Sequence, residues 1–238
     1  MICLKLAAVK NWYLTKIDIG GAYLCANIDE EDEVFIVLDR VMTNLCQEWL
    51  PDVTEYIRDD GKLVVKLDKE MYRLIQSSKL RYKELSGFLM SKGFKKFPSD
   101  KCIFVKRMSN GKYVLALLYV DGILIMSELS SDRQWVKDIL EQRYDKVTAT
   151  ENERLPYLGM TIIKTENGFE IRMKSYIEET LKLHGKRVRE YVVPATQSLF
   201  KVDMESKSVE DNIKFHSIIV KLLYLGKRGR PDILIPVH

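Results

Sequence analysis

A chain of 238 residues with 46% apolar content is long enough for one large domain, or a domain with a smaller appendage, around a packed core. Its 38 Lys and Arg against 34 Asp and Glu leave a net charge of only +4, a weak argument for nucleic acid as a partner. What charge argument there is must rest on distribution.

Taken in chain order, residues 2 to 11 read as the end of a helix, and Leu14 to Leu24 as a buried strand running into a turn at Gly20-Gly21. Val34 to Leu38 is a short apolar run and a strand candidate. Residues 44 to 61, with Pro51 and Asp59-Asp60-Gly61, predict a loop or insertion with a turn before Lys62 to Leu67. Asp68 to Lys92 places Met71, Leu74, Ile75, Leu85, Phe88 and Leu89 between long basic side chains, with Gly93 as a stop, and predicts a long amphipathic helix. Phe104-Val105 is strand-like, and Asn110-Gly111 marks a turn into an apolar strand over Tyr113 to Val120. Asp132 to Tyr144 predicts a second amphipathic helix capped by Ser131 or Asp132. Tyr157 to Ile163 and Phe169 to Met173, joined by Glu166-Asn167-Gly168, predict a hairpin, and residues 175 to 185 and 209 to 227 predict helices ending near Gly185 and Gly226. This order of elements argues for an α+β layer domain followed by a helical module.

Four cysteines, Cys3, Cys25, Cys46 and Cys102, form no C-x-x-C pair, and His184, His216 and His238 fall in no ligand spacing with them, which argues against a structural zinc site or a disulfide framework. No apolar run approaches the ~20 residues of a membrane span, and the N-terminus lacks the layout of a signal peptide. The expectation is an intracellular protein, cytosolic or nuclear, with reduced thiols and no membrane partner. From Lys79 to Arg107, nine basic residues face only Glu84 and Asp100, which favours a polyanion on that face; a merely solvated face is the plainer reading of such a run.

Two acids stand out because each follows an apolar strand: Asp18 in Lys16-Ile17-Asp18-Ile19, and Asp121 in Leu118-Tyr119-Val120-Asp121, at the tip of a hairpin beside Gly122. A carboxylate in an otherwise apolar strand carries a desolvation cost that something must compensate. If the two strands are neighbours, Asp18 and Asp121 would hold hard cations such as Mg²⁺ between them. Such ions, ~3.5–4 Å apart, stabilise the attacking and leaving oxygens of an in-line phosphoryl transfer. The alternative, that each Asp caps a turn at a strand end, fits the spacing as well.

Resemblance bears on that choice. Asp18-Ile19-Gly20-Gly21-Ala22-Tyr23 resembles motif A of reverse transcriptases, and Tyr119-Val120-Asp121-Gly122 resembles their motif C, Tyr-x-Asp-Asp. Val65-Lys66-Leu67 with Met71-Tyr72-Arg73-Leu74-Ile75-Gln76-Ser77-Ser78, then Tyr157-Leu158-Gly159-Met160, then Tyr224 to Ile233, are similar to segments of the copia-type (Ty1/copia) retrotransposon polymerases in the family's order over nearly the whole chain. The resemblance implies an RNA-directed DNA polymerase region of a retroelement polyprotein. Its fold would be a polymerase palm, an antiparallel sheet backed by helices, with partial fingers over 1–165, and a primer-grip hairpin continuation and helical thumb over 166–238. It implies Mg²⁺ or Mn²⁺ on Asp18, Asp121 and the Ile19 carbonyl; an RNA or DNA template, a DNA primer and dNTPs as partners; and further polyprotein segments as neighbours. It places Gly21, Ala22, Tyr23 and Gln76 at the nucleotide, with Tyr23 excluding a 2′-hydroxyl, and Leu158, Gly159 and Met160 at the primer grip. Without it, Tyr23 reads as a core tyrosine and Gln76 as a helix-surface amide. Arg172, Lys174, Lys182, Lys186, Arg187 and Arg189 would meet phosphates on the thumb, or only solubilise a helix.

Three departures from the family pattern predict impaired activity. Gly122 replaces the second Asp of motif C. The sequence begins seventeen residues before Asp18, without the family's basic upstream fingers, and phosphoryl transfer leans on such charge neutralisation. It ends at Pro236-Val237-His238, as a polyprotein fragment would. A non-catalytic nucleic-acid-binding remnant is the alternative reading.

Overall fold

Alternation along one strand sets the layering. Strand β1, Tyr13–Ile19, buries Thr15, Ile17 and Ile19 and leaves Lys16 and Asp18 half-buried on the opposite side, as the two-residue period of a strand requires. The structure, a computed structural model, describes residues 1–21, 28, 33–69, 77–119, 122–185, 190–195, 199–201 and 211–237. Contacts divide the chain into two compact units, Leu14–Ala149 on one hand and Met1–Tyr13 with Thr150–His238 on the other.

In the unit Leu14–Ala149, β1 is followed by β2 (Phe35–Leu38), α2 (Arg40–Trp49), a 3₁₀ turn (Pro51–Tyr56), β3 (Leu63–Lys66), α3 (Ser77–Ser91), β4 (Lys95–Phe97), β5 (Asp100–Arg107), β6 (Tyr113–Tyr119), β7 (Gly122–Ser127), α4 (Ser130–Glu141) and β8 (Val147–Thr150). Six strands form one sheet in the order β4-β5-β6-β7-β1-β8, antiparallel from β4 to β7. Ile17 and Ile19 join Leu85 and Leu89 of α3, Val136 and Leu140 of α4, and Phe104, Ile123 and Ile125 in one buried cluster. Each such side chain contributes about 1.5–3 kcal/mol on burial. The helices therefore back one face of the sheet, and Lys16 and Asp18 stand on the other. Strands β2 and β3 pair as a separate two-stranded antiparallel sheet, with α2 and the 3₁₀ turn between them.

The other unit holds α1 (Ile2–Val9), then a meander of β9 (Arg154–Tyr157), β10 (Met160–Thr165) and β11 (Gly168–Arg172), and the helices α5 (Lys174–His184), α6 (Asn212–Arg228) and α7 (Leu234–Val237). Helix α1 lies against β11, where a Cβ at Gly168 would stand 3.2 Å from that of Ala8. Lys164 Nζ on β10 donates to Asn11 Oδ1 at 2.8 Å and to the Trp12 carbonyl at 3.2 Å. Among the described residues no helix is long and apolar enough to cross a membrane.

The α+β class and the sheet backed by helices match the expectation, while several local readings need correction. The predicted loop over 44 to 61 begins inside α2, which Asp39 caps by accepting from the Met42 N–H at 2.9 Å. Val41, Met42, Leu45 and Trp49 recur at helical spacing and form an exposed apolar stripe, a period the loop reading overlooked. Over Asp68 to Lys92 the described helix runs only Ser77–Ser91; residues 70–76 lie outside the described residues. Neither Ser131 nor Asp132 caps α4, whose cap residue is Leu129 with no side-chain bond; Asp132 is buried and accepts from Asn110 Nδ2 at 3.0 Å. Tyr157 to Ile163 is two strands and a turn rather than one strand. Helix α6 does end near Gly226, at Arg228, and a Cβ at Gly226 would come within 2.9 Å of Leu234.

The basic run also conceals a core residue. Arg81 is 0% exposed: its Nη1 donates to Glu84 Oε2 at 2.7 Å and its guanidinium lies 5.1 Å from the Tyr144 ring centroid. Glu84 also accepts from the Tyr144 hydroxyl at 2.7 Å and Arg143 Nη2 at 3.2 Å. Because Glu84 has three partners and Arg81 depends chiefly on Glu84, the two removals differ. Glu84→Gln leaves a buried cation uncompensated and is expected to cost about 3 kcal/mol by urea unfolding, whereas Arg81→Met costs under about 1 kcal/mol. Burial, then the hydrogen bond to Glu84, pushes the Tyr144 phenol up from the usual 10 to about 12. The folded state then keeps a proton that the unfolded chain releases, so this stability is present below pH 10 and lost as the pH rises to about 12. Tyr144→Phe should flatten that part of the alkaline unfolding curve; an unchanged slope would refute the assignment.

Candidate functional site

Sheet order places β7 beside β1, and this brings the start of β7 to Asp18. A Cβ built on Gly122 would stand 3.6 Å from Asp18 Oδ1 and 3.7 Å from the Tyr119 carbonyl oxygen, ordinary van der Waals distances. Tyr119 pairs with Gly122 across the β6–β7 hairpin. Gly122 is not among the described glycines with positive φ, so its backbone does not require glycine. The other Asp18 oxygen, Oδ2, pairs with Lys16 Nζ at 2.7 Å, with the two side chains 46% and 24% exposed.

Of the expected metal-binding residues, Asp18 and Ile19 are described, and Asp121 lies outside the described residues. The Ile19 side chain is buried in the core, so only its carbonyl is a candidate donor. Ala22, Tyr23 and Gln76 also lie outside the described residues. Gly21 is described and holds a left-handed φ of 66° at the turn after β1. The preceding Gly20 donates its N–H to the Lys146 carbonyl at 2.8 Å, and a Cβ there would stand 3.0 Å from that of Lys146. Among the described residues no group of three His, Cys, Asp or Glu is placed to hold a metal. The donors that are described, a half-exposed carboxylate and a strand carbonyl, fit a hard divalent cation in kind.

Leu158, Gly159 and Met160 are placed together in the other unit. Met160 pairs with Tyr157, so Leu158 and Gly159 form a two-residue turn with φ of 50° and 69°. Both values belong to the primed turn that suits a tight hairpin, and a leucine in that region is strained. Two tyrosines hold it there: the Tyr224 hydroxyl donates to the Leu158 carbonyl, and Tyr176, its ring centroid 5.1 Å from that of Tyr224 and tilted to it, lies against Gly159. A cleft beside the turn is lined by Arg154, Thr161, Arg172, Lys174 and Ser175. Arg172 Nη2 donates to Glu170 Oε2 at 3.1 Å, and this pairing lowers the Glu170 carboxyl and raises the Arg172 guanidinium.

Sequence reasoning missed Lys16, Tyr176, Tyr224 and Arg133. Arg133 is buried on α4 and donates from Nε to Thr15 Oγ1 at 3.0 Å and from Nη1 to the Ser127 carbonyl at 3.2 Å. It thus ties together the two strands that carry Asp18 and Gly122. Extending the α4 apolar period back from Val136 by three and four residues reaches Arg133 and Asp132, which was the available signal.

Residues 1–187 match the protein family described as "Reverse transcriptase (RNA-dependent DNA polymerase)". Over 97% of its length the chain is 25% identical to the retrovirus-related Pol polyprotein from transposon TNT 1-94 of Nicotiana tabacum, covering 17% of that protein. Over its full length it is 26% identical to the truncated transposon Ty1-A Gag-Pol polyprotein of Saccharomyces cerevisiae, covering 19% of it. The chain therefore spans less than a fifth of these relatives. It is also similar, at 13% identity and a TM-score of 0.46, to the foamy viral protease-reverse transcriptase solved in complex with an RNA/DNA hybrid, over 90% of this chain and 21% of that one.

The strained turn yields a measurable expectation. Gly159→Ala puts a Cβ 3.2 Å from the Tyr176 ring at a left-handed backbone position and should destabilise the chain by about 1–2 kcal/mol in urea unfolding. A loss below 0.5 kcal/mol, on the order of an ordinary surface change, would contradict the turn geometry.

Proposed function

Because the chain belongs to the reverse transcriptase (RNA-dependent DNA polymerase) family, with copia-type Pol polyproteins as its relatives, we propose that it carries out RNA-directed DNA synthesis. A primer 3′-hydroxyl would attack the α-phosphorus of a dNTP and expel pyrophosphate, with the template supplied as RNA or DNA. The observation that carries this reading is Asp18, half-exposed on the face of the sheet away from the helices, with Oδ1 3.6 Å from the Cβ position of Gly122. That placement supports a shared site with Asp121, the residue before Gly122 in sequence.

In this proposal Asp18, Asp121 and the Ile19 carbonyl would hold Mg²⁺ or Mn²⁺. Such cations, when bound, would supply charge neutralisation at the phosphates. Gly21 and Ala22 approach the triphosphate, Tyr23 closes the pocket under the sugar against a 2′-hydroxyl, and Gln76 contacts the nucleotide. Leu158, Gly159 and Met160 position the primer end, their turn held rigid by Tyr176 and Tyr224. Arg154 and Lys174 beside that turn offer charge to a primer phosphate. Palm and partial fingers would extend over 1–165 and the thumb over 166–238. An intracellular setting, beside other retroelement polyprotein segments, suits these partners.

With Gly122 in place of a carboxylate, synthesis should be slow. Primer extension on a homopolymer template with Mn²⁺ should show weak dNTP incorporation that Asp18→Asn reduces to background. Gly122→Asp, for which the backbone and the local space leave room, should raise it by about tenfold. Incorporation indifferent to Asp18→Asn would sink the assignment. The Lys16–Asp18 ion pair favours one second reading, a non-catalytic nucleic-acid-binding remnant. Salt-sensitive hybrid binding without incorporation in either Asp18 or Gly122 background would select it.

A further inference from the structure

Lys16 and Asp18 are two residues apart on β1 and so share a face. Their contact is direct: Nζ to Oδ2 at 2.7 Å. The carboxylate is thereby divided between two surroundings. Oδ2 is taken by an ammonium, and Oδ1 looks toward the start of β7, where Gly122 contributes no charge.

We propose that Lys16 is an internal counter-ion of Asp18 that competes with a divalent cation for the same carboxylate. This inference rests on the reading of Asp18 as a metal ligand. The Asp18 side chain is 46% exposed, so water solvates part of it, and the strand supplies a compensating charge for the rest from two residues away. The ammonium is a compact point charge on a flexible four-carbon stem, so it can hold Oδ2 in one state and withdraw in another. A cation entering at Asp18 must displace it or bear its repulsion. Small hard cations give up their own water reluctantly and bind best where carboxylates are dense, so an occupied Oδ2 weighs most against Mg²⁺. The exchange also frees the fold from the metal: β1 carries its charge compensated whether or not a cation is present.

Lys16 therefore acts as a positioning residue that sets metal affinity by holding or releasing Asp18. Mn²⁺ titrations of the 238-residue chain, followed by the EPR signal of free Mn²⁺, separate the possibilities. Lys16→Gln and Lys16→Met both remove the charge and should tighten Mn²⁺ binding roughly tenfold. Lys16→Arg keeps the charge and should stay within about twofold of the parent. Asp18→Asn should abolish binding, both alone and with Lys16→Gln, and thermal melts of the same samples establish that each is folded. If Asp18→Asn abolishes binding but neither Lys16→Gln nor Lys16→Met tightens it, competition is overturned and the metal site stands. Binding indifferent to Asp18→Asn, or absent from every variant, overturns the metal site and the competition together.

Discussion

Seven residues of β1 impose the constraint on which the larger unit depends. With Ile17 and Ile19 committed to the core under α3 and α4, the strand period leaves Lys16 and Asp18 no place but the opposite face. Register here is all-or-none, because a slip of one residue would send two charges into the core and two isoleucines out of it. The cost of that alternative holds a half-exposed carboxylate in a fixed place. Beside it runs β7, buried along its whole length, so the strand next to Asp18 is as fixed as Asp18 itself. Arg133 closes the arrangement from the helix side, bonding Thr15 on one strand and Ser127 on the other. A buried guanidinium needs such partners, and satisfying it aligns the two strands.

The other unit solves a comparable problem by different means. Its Leu158-Gly159 turn is held not by strand register alone but by aromatic side chains from two helices, Tyr176 on α5 and Tyr224 on α6. A leucine at φ of 50° persists because its surroundings over-determine it. Strain of that kind gathers where a chain must present backbone in one conformation. Such a turn suits a part that positions a substrate rather than one that reacts with it.

Much of this was legible in the sequence where chemistry and period agreed. The strand through Asp18, the Asn110-Gly111 turn, the hairpin ending at Tyr119 and Gly122, and the turn at Glu166-Asn167-Gly168 between β10 and β11 all follow from local rules. Helix α2 was legible but misread: Val41, Leu45 and Trp49 recur at helical spacing, while Pro51 and Asp59-Asp60-Gly61 drew the reading toward a loop. Arg81 was read among exposed bases because its burial depends on Glu84 and on Tyr144, sixty-three positions away in the chain. The capping role given to Asp132 failed for a similar reason: Asn110, twenty-two residues distant, took the carboxylate instead. Sequence order shows which groups are polar; only the fold shows which polar groups meet.

The demand for a cation beside Asp18 illustrates the same limit more sharply. From the sequence, an acid in an apolar strand called for compensation, and a divalent ion was the natural candidate. The structure relaxes that requirement, because the Asp18 side chain is 46% exposed and partly solvated by water, and what remains of it does not specify its own answer. Lys16 meets it from within the strand, so desolvation alone cannot distinguish a metal ligand from one half of an ion pair. What distinguishes them is the second oxygen. Oδ1 points toward the start of β7 and remains free of Lys16, and there the missing side chain at Gly122 lowers the negative potential just where a cation would need it. The ammonium on one oxygen and the absent carboxylate beside the other act in the same direction. Both make the site less attractive to a doubly charged ion while leaving the strand that carries it unchanged.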